Sequence, residues 1–341
     1  MAKINLLTIH YGRCYGAVMQ TYATCRLLEE AGHDVTVINI VHPRLKNHYK
    51  SFRKLSGIIT EWQFYIFKKR YFSKMTSKTY SIDNQKLPDA DYTIVGSDQV
   101  WNRDITGDFG NAFFLDFVPE NQKRIAFCSS FGKSIWEENT DYTNLVGKEL
   151  EKFSAISVRE KSGHKILNEI FGIQGVCLQD PTIGYGEFES LVLNNKTRNY
   201  IFPFLYNYSL ETKEKLQLIA NELSCPIYST NRLKGYLCSG PRQWLTNIHN
   251  SKYVITDSFH GLALSIIFHK NFFVFCADAK KFTRLQSLLE LVGLENRYVK
   301  SKEDFLNRKD ELLLPIDYKT VDKILSQRKK EFRQFIRDNV K

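Results

Sequence analysis

Short apolar runs along the chain alternate with longer stretches in which apolar positions recur every three or four residues, the strand and helix periods in turn. Lys3–Ile9 reads as a strand, followed by a loop and a helix from about Ala17 to Ala31. Gly32 is placed to end that helix in a left-handed turn, and Val35–Ile40 is the next strand. Further on, Tyr92–Val95 and Arg124–Cys128 read as short buried strands. A helix near Asn144–Phe153, a strand Ala155–Val158, a helix Gly163–Phe171 and a strand Gly175–Leu178 follow, and Asp180-Pro181 breaks the series. A second series runs through strand Asn199–Leu205, a helix at about Leu210–Leu223 and an extended Ile227–Ser229. It continues with a helix near Trp244–Asn250, strand Tyr253–Thr256, helix Gly261–His269 and strand Phe272–Cys276. Thr320–Val340 reads as a last helix, which could cross back onto the first domain. Such alternation specifies parallel sheets covered by helices. The expected fold is therefore α/β with two Rossmann-like domains, at 1–185 and 186–318, and a C-terminal helix at 319–341 packing on the first.

The 341 residues suffice for two cores, and the composition is that of an ordinary globular chain, 43% hydrophobic and 25% charged. The longest apolar runs, such as Leu262–Phe268, are too short to cross a bilayer, and the first residues lack the pattern of a signal peptide. The expected location is the cytoplasm. Seven cysteines without a CxxC pair indicate neither a zinc site nor a disulfide framework.

The net charge of +11 changes the picture once it is located. Residues 42–80 carry ten Lys/Arg against one acid, Glu61, and residues 319–341 carry eight against three. The first segment reads as an insertion in the first domain. Its bases are interleaved with Tyr49, Phe52, Trp62, Phe64, Tyr65, Phe67, Tyr71 and Phe72. That mixture fits the anionic face of a membrane, or a solvated helix whose aromatics pack on their own domain. Nothing else resembles a nucleic-acid module, so no nucleic-acid partner is expected.

Sites in such folds lie at the carboxyl ends of strands and at helix N-termini. Three strand-to-helix junctions there are unusually polar. His10-Tyr11-Gly12-Arg13-Cys14-Tyr15-Gly16-Ala17 follows the first strand, with Gly12 and Gly16 allowing tight turns before a helix start that can receive an anion. Val95-Gly96-Ser97-Asp98-Gln99-Val100-Trp101-Asn102 joins polar groups to one large aromatic, the make-up of a sugar site; equally, Asp98 could cap a short helix with Trp101 in the core. Ile255-Thr256-Asp257-Ser258-Phe259-His260-Gly261-Leu262 puts His260 near a helix N-terminus, although Thr256-Asp257-Ser258 could be a cap alone. Arg159 directly follows a buried strand, where it suits a carboxylate or phosphate, or an ion pair with Glu160 or another acid. Arg284 points either inward or to water. No P-loop, GxSxG elbow or HExxH is present.

These segments, with Gln20, Ile156-Ser157-Val158-Arg159-Glu160 and Asp180-Pro181-Thr182, occur in an order that resembles the polysaccharide pyruvyl transferase family from the first strand to the helix after His260. The resemblance implies a GT-B-like architecture, with the two Rossmann-like domains facing a central cleft. It implies phosphoenolpyruvate as donor and a hexose, such as galactose, of a capsular or cell-surface polysaccharide precursor as acceptor. The product would be a cyclic pyruvate ketal with free phosphate. The second domain would serve the donor, through Ser258, His260, Gly261 and Arg284 together with Arg159 of the first, and the first would serve the acceptor, through His10, Tyr11, Tyr15, Gln20, Ser97, Gln99, Trp101 and Asn102. His260 would be the general acid and Asp98 or Asp257 the base, with no cofactor or metal. Where relatives often read Arg-x-His-Gly this chain has Ser258, so another cation, Arg284 by expectation, must hold the donor. A lipid-linked oligosaccharide acceptor and peripheral contact with an anionic membrane surface are further expectations. The competing expectations are a nucleotide-sugar glycosyltransferase of the same architecture and a non-catalytic binding or regulatory protein.

Overall fold

Seven parallel strands form the first sheet of the computed structural model, which describes residues 1–43, 55–228, 239–276 and 279–341. In chain order the elements are β1 (Lys3–Leu7), α1 (Tyr15–Glu30), β2 (Asp34–Val37), α2 (Leu55–Tyr71), β3 (Lys74–Met75), β4 (Tyr92–Val95) and α3 (Arg103–Thr106). Then come β5 (Lys123–Ser129), α4 (Thr140–Leu150), β6 (Phe153–Val158), α5 (Lys161–Phe171), β7 (Val176–Cys177) and α6 (Pro181–Tyr185). The strand order is β3-β2-β1-β4-β5-β6-β7. The chain moves outward in one direction from β1 and then restarts on its other side with β4. That reversal opens a crevice at the carboxyl ends of β1 and β4, where ligands bind in sheets of this kind.

A second sheet holds β8 (Ile201–Phe204), β9 (Tyr253–Thr256) and β10 (Asn271–Val274), also parallel, in the order β10-β9-β8. Single parallel bridges extend it at both edges, Ile227 beside β8 and Tyr298 beside β10. Its reversal lies between β8 and β9. The helices of this part are α7 (Leu210–Glu222), α8 (Pro241–Asn250), α9 (Phe259–Ile267), α10 (Ala279–Val292), α11 (Lys302–Asn307) and α12 (Lys309–Leu312), and the last helix is α13 (Tyr318–Asn339).

The chain divides into two units. One comprises Phe64–Tyr185, Gln327–Lys341 and the described residues of Met1–Lys54; the other comprises Leu55–Gln63 and the described residues of Gly186–Ser326. Each has its own core, around Leu7, Val95, Trp101, Ala126 and Phe131 in the first and around Ile201, Ile219, Ile255 and Phe273 in the second. The terminal part of α13 completes the first unit. Phe332 is fully buried, stands edge-on to Phe127 at 5.7 Å between ring centres, and fills space that any side chain at Gly184 would occupy.

Several boundaries differ from the sequence expectation. Phe153 begins β6 rather than ending a helix, because it pairs with Arg124 on β5. Ile227 makes one bridge instead of a strand, and Ser229 lies outside the described residues. The basic aromatic segment contains α2 and β3, while residues 44–54 of it lie outside the described residues. Gly32 does end α1 at a positive φ, 88°. No helix among the described residues is long and apolar enough to cross a membrane.

Phe332→Ala leaves a ring-sized void at the end of α13, so unfolding in denaturant should show a loss of about 3–5 kcal/mol in the stability of the first unit. A loss below about 1 kcal/mol would mean that α13 is not part of that core.

Candidate functional site

At the reversal of the first sheet, the loop after β1 is held by side chains from its own helix. Gln20 Nε2 donates to Ile9 O at 2.9 Å and to Thr8 Oγ1 at 3.1 Å, and Thr8 Oγ1 donates to Ser97 O at 2.7 Å, joining the ends of β1 and β4. His10 is fully buried, with Nδ1 2.9 Å from Thr8 O and Nε2 3.1 Å from Asn39 Oδ1. Burial first, and then the charge of Lys68, lower its pKa to about 4. Tyr11 is half-buried against His42 and Phe109. Its hydroxyl is enclosed without a hydrogen-bond partner among the described residues. Burial, with the Asp98 charge next, raises the Tyr11 phenol well above its ordinary range.

The stretch after β4 turns sharply. Asp98 has a φ of 80°, a left-handed conformation that costs a non-glycine residue of order 1–3 kcal/mol and persists only where the surroundings enforce it. Here its carbonyl accepts from Val100 N at 2.8 Å and Ser130 N at 3.1 Å, and Oδ1 accepts from Gln99 N at 2.8 Å. The residue that caps α3 is Asn102, whose side chain accepts from Asp104 N, and not Asp98. Asn102 Nδ2 donates to Gln99 Oε1 at 2.9 Å, and Gly132 lies so close that a Cβ there would be 2.2 Å from that oxygen. Trp101 is core: it lies flat against Phe114 and donates from Nε1 to Phe113 O.

Beneath this turn lies a buried charge cluster. Arg159 Nη1 is 3.1 Å from Asp180 Oδ2 and 3.9 Å from Asp98 Oδ1, and its Nε is 3.4 Å from Glu160 Oε2. Burial alone would depress the guanidinium pKa, but Glu160, Asp180 and Asp98 together outweigh it and raise it, so Arg159 stays charged. Asp180 also accepts from Ser97 Oγ at 3.1 Å and Thr182 N at 2.9 Å, and Glu160 accepts from Ser130 Oγ at 2.5 Å. One cation thus faces three carboxyl groups.

The second sheet has a different site at its reversal. Both Asp257 oxygens accept backbone N–H groups of the loop after β8, from Tyr206 at 2.7 Å and Asn207 at 2.9 Å. Ser258 is the N-cap of α9, its Oγ accepting from Gly261 N. Gly261 has no room for a side chain, since a Cβ would stand 2.4 Å from Thr256 Oγ1. His260 is half-buried in the first turn of α9, edge-on to Phe259 at 5.3 Å. Arg284 is half-buried on α10.

The structure therefore gathers Ser97, Asp98, Arg159 and the Gln99–Asn102 pair in the first unit, and Asp257, Ser258, His260 and Gly261 in the second. His10, Gln20, Ser97 and Trp101 are enclosed and build walls; Tyr11, Tyr15 and Gln99 keep partial exposure. Arg159 lies amid acids, which would repel an anionic ligand, and Asp257 clamps a loop. The sequence reading weighed Glu160 only as an ion-pair partner of Arg159 and assigned no role to Asp180 or Ser130. The signal for the two acids was their place directly after β6 and β7, neighbouring strands whose ends must meet. Among the described residues no group of three or more His, Cys, Asp and Glu is placed to hold a metal ion.

Two parallel-sheet units of this kind, with a reversal at each sheet, define the GT-B-like class of α/β folds. The same fold occurs in a Listeria monocytogenes protein described as a candidate UDP-N-acetylglucosamine 2-epimerase, at 11% identity and a TM-score of 0.51 over 95% of this chain and 90% of that one. It occurs also in the UDP-GlcNAc 2-epimerase of Methanocaldococcus jannaschii, at 12% identity and a TM-score of 0.50 over 93% and 94%. At such identities the likeness is one of fold alone. A profile of the polysaccharide pyruvyl transferase family matches residues 15–275, and the chain belongs to that family, a family of transferases. Comparison with curated protein sequences finds no match.

Two outcomes follow from the buried groups. The folded state holds His10 at about 4 against an ordinary 6.5, so below pH 6.5 the unfolded chain takes up a proton that the folded one refuses. Stability from this group is intact above pH 6.5 and falls by roughly 3 kcal/mol as pH drops to about 4; the slope of unfolding free energy against pH should flatten in His10→Gln. Asp180→Asn removes the closest charge partner of Arg159 and should cost about 3 kcal/mol in denaturant unfolding.

Proposed function

We propose that the protein transfers the pyruvyl group of phosphoenolpyruvate to two hydroxyls of a hexose in a cell-surface polysaccharide precursor, forming a cyclic ketal and releasing phosphate. The family match supports transfer to a sugar. The observation that carries the residue roles is the opposite character of the two sheet reversals. The first is rich in carboxylates around Arg159 and suits a neutral polyol. At the second, the Asp257 carboxylate is tied up by backbone N–H groups, and His260 sits where a helix dipole favours an anion.

In this scheme His260 delivers a proton to the methylene carbon of phosphoenolpyruvate, making it a methyl group and leaving C2 electron-poor. One sugar hydroxyl adds to C2 and its proton passes to Asp98. The C2–O bond to phosphate then breaks, the second hydroxyl adds, and its proton leaves with phosphate or returns to the enzyme. Asp98 is the base in preference to Asp257, whose oxygens already accept two N–H bonds. Arg159, held by Asp180 and Glu160, orients Asp98. The transfers balance without a metal or other cofactor. The acceptor is taken to be a hexose such as galactose, free or in a lipid-linked oligosaccharide.

The test is phosphate release from phosphoenolpyruvate with a panel of hexosides. Release should depend on the acceptor and drop by about 10²–10⁴-fold in His260→Ala and in Asp98→Asn. Full turnover in either variant would remove its assigned role. Absence of both phosphoenolpyruvate binding and release, with binding of uridine nucleotides instead, would replace the proposal with nucleotide-sugar glycosyl transfer.

A further inference from the structure

Helix α2 is apolar on the wrong side. Its inner face carries Thr60, Phe64 and Phe67, all buried, with Phe64 against Tyr15 and Phe67 against Tyr22 of α1. At 100° per residue, Ile58, Trp62, Tyr65, Ile66 and Lys69 fall in an arc of about 100° on the opposite side. The four uncharged residues of that arc are 62%, 61%, 57% and 38% exposed, in that order. An ordinary surface helix shows charged and polar residues there, and a helix apolar on both sides is normally covered on both.

We propose that this outer face seats the protein on an anionic lipid surface. The composition of the arc matches that setting. Trp62 and Tyr65 are aromatic side chains with a polar atom at one end, which settle at the level of lipid headgroups. Lys69 and Arg70 are exposed in the last turn beside them, and a single acid, Glu61, lies on the helix. The 42–80 stretch around the helix holds ten bases against that one acid. A second copy of the chain would bring its own +11 charge and its own basic stretch against this face, whereas anionic headgroups complement it. Each base close to such a surface adds roughly a fivefold gain in binding. Apolar burial of the Trp62 and Tyr65 rings supplies the part that salt does not screen. This inference is independent of the reaction proposed above, because it is read by binding and not by turnover.

The experiment is sedimentation of the full chain with vesicles of phosphatidylglycerol and phosphatidylcholine in equal parts, and with phosphatidylcholine alone. The wild type should bind the mixed vesicles at low salt and release them as salt is raised. The double variant Lys69→Ala/Arg70→Ala should bind about 30-fold more weakly. Trp62→Ala/Tyr65→Ala should lose at least about tenfold, with unchanged thermal unfolding because both side chains are exposed. Tryptophan emission should shift to the blue on binding in the wild type and not in Trp62→Phe. Absent wild-type binding, equal binding to phosphatidylcholine alone, or undiminished binding by both double variants overturns the proposal. So does a wild-type dimer that Trp62→Ala/Tyr65→Ala converts to monomers, since a second copy would then be what covers the face.

Discussion

Arg159 enters the interior as a cation, and burying a cation costs several kcal/mol unless carboxylates and hydrogen bonds compensate. The compensation comes from three places in the chain: Asp98 after β4, Glu160 beside it after β6, and Asp180 after β7. None of these groups can be moved without stranding another. The cluster therefore ties the ends of β4, β6 and β7 to one another, beside the left-handed turn at Asp98. The register shift in β5 between Ala126 and Ser129 belongs to the same arrangement, since it brings Ser129 O to Arg159 N and Ser130 to both Asp98 and Glu160.

Each sheet uses its reversal differently because different groups are left over once the backbone is satisfied. In the first, Thr8, Ser97, Gln20 and Asn102 absorb the local hydrogen bonds, the Asp98 carboxylate serves Gln99 N and Arg159, and the Tyr11 hydroxyl is enclosed without a partner among the described residues. In the second, Thr256, Asp257 and Ser258 are spent on the turn itself, and His260 stands in the first turn of the helix that Ser258 caps. A motif of five or six polar residues is thus mostly scaffold. Ser258 fits this division. Serine caps α9, as an arginine there could not.

Much of the fold was legible because its causes are local. Alternating apolar periods identified most of the strands and helices. The 42–80 region resisted that reading. Helix α2 has apolar residues on every side, so it shows no stripe to find, and only packing reveals that Phe64 and Phe67 face inward while Trp62 and Tyr65 do not. The candidate site was legible by position, at strand ends, but not by role. Whether a polar side chain walls a site or faces it depends on neighbours far away in sequence.

The sequence by itself determined the parallel α/β class, the series of motifs that carries the family resemblance, and the concentration of positive charge in 42–80 and at the C-terminus, because periodicity, short motifs and charge are properties of neighbouring residues. Only the tertiary structure decided that Arg159 is neutralised by acids one, 21 and 61 positions away, that Asp257 clamps the loop after β8, and that His10 is buried and neutral. Those outcomes depend on which strand ends converge. A guanidinium, a carboxylate or an imidazole has the same chemistry anywhere in a sequence, and acquires its function only from the charges and the water that folding places around it.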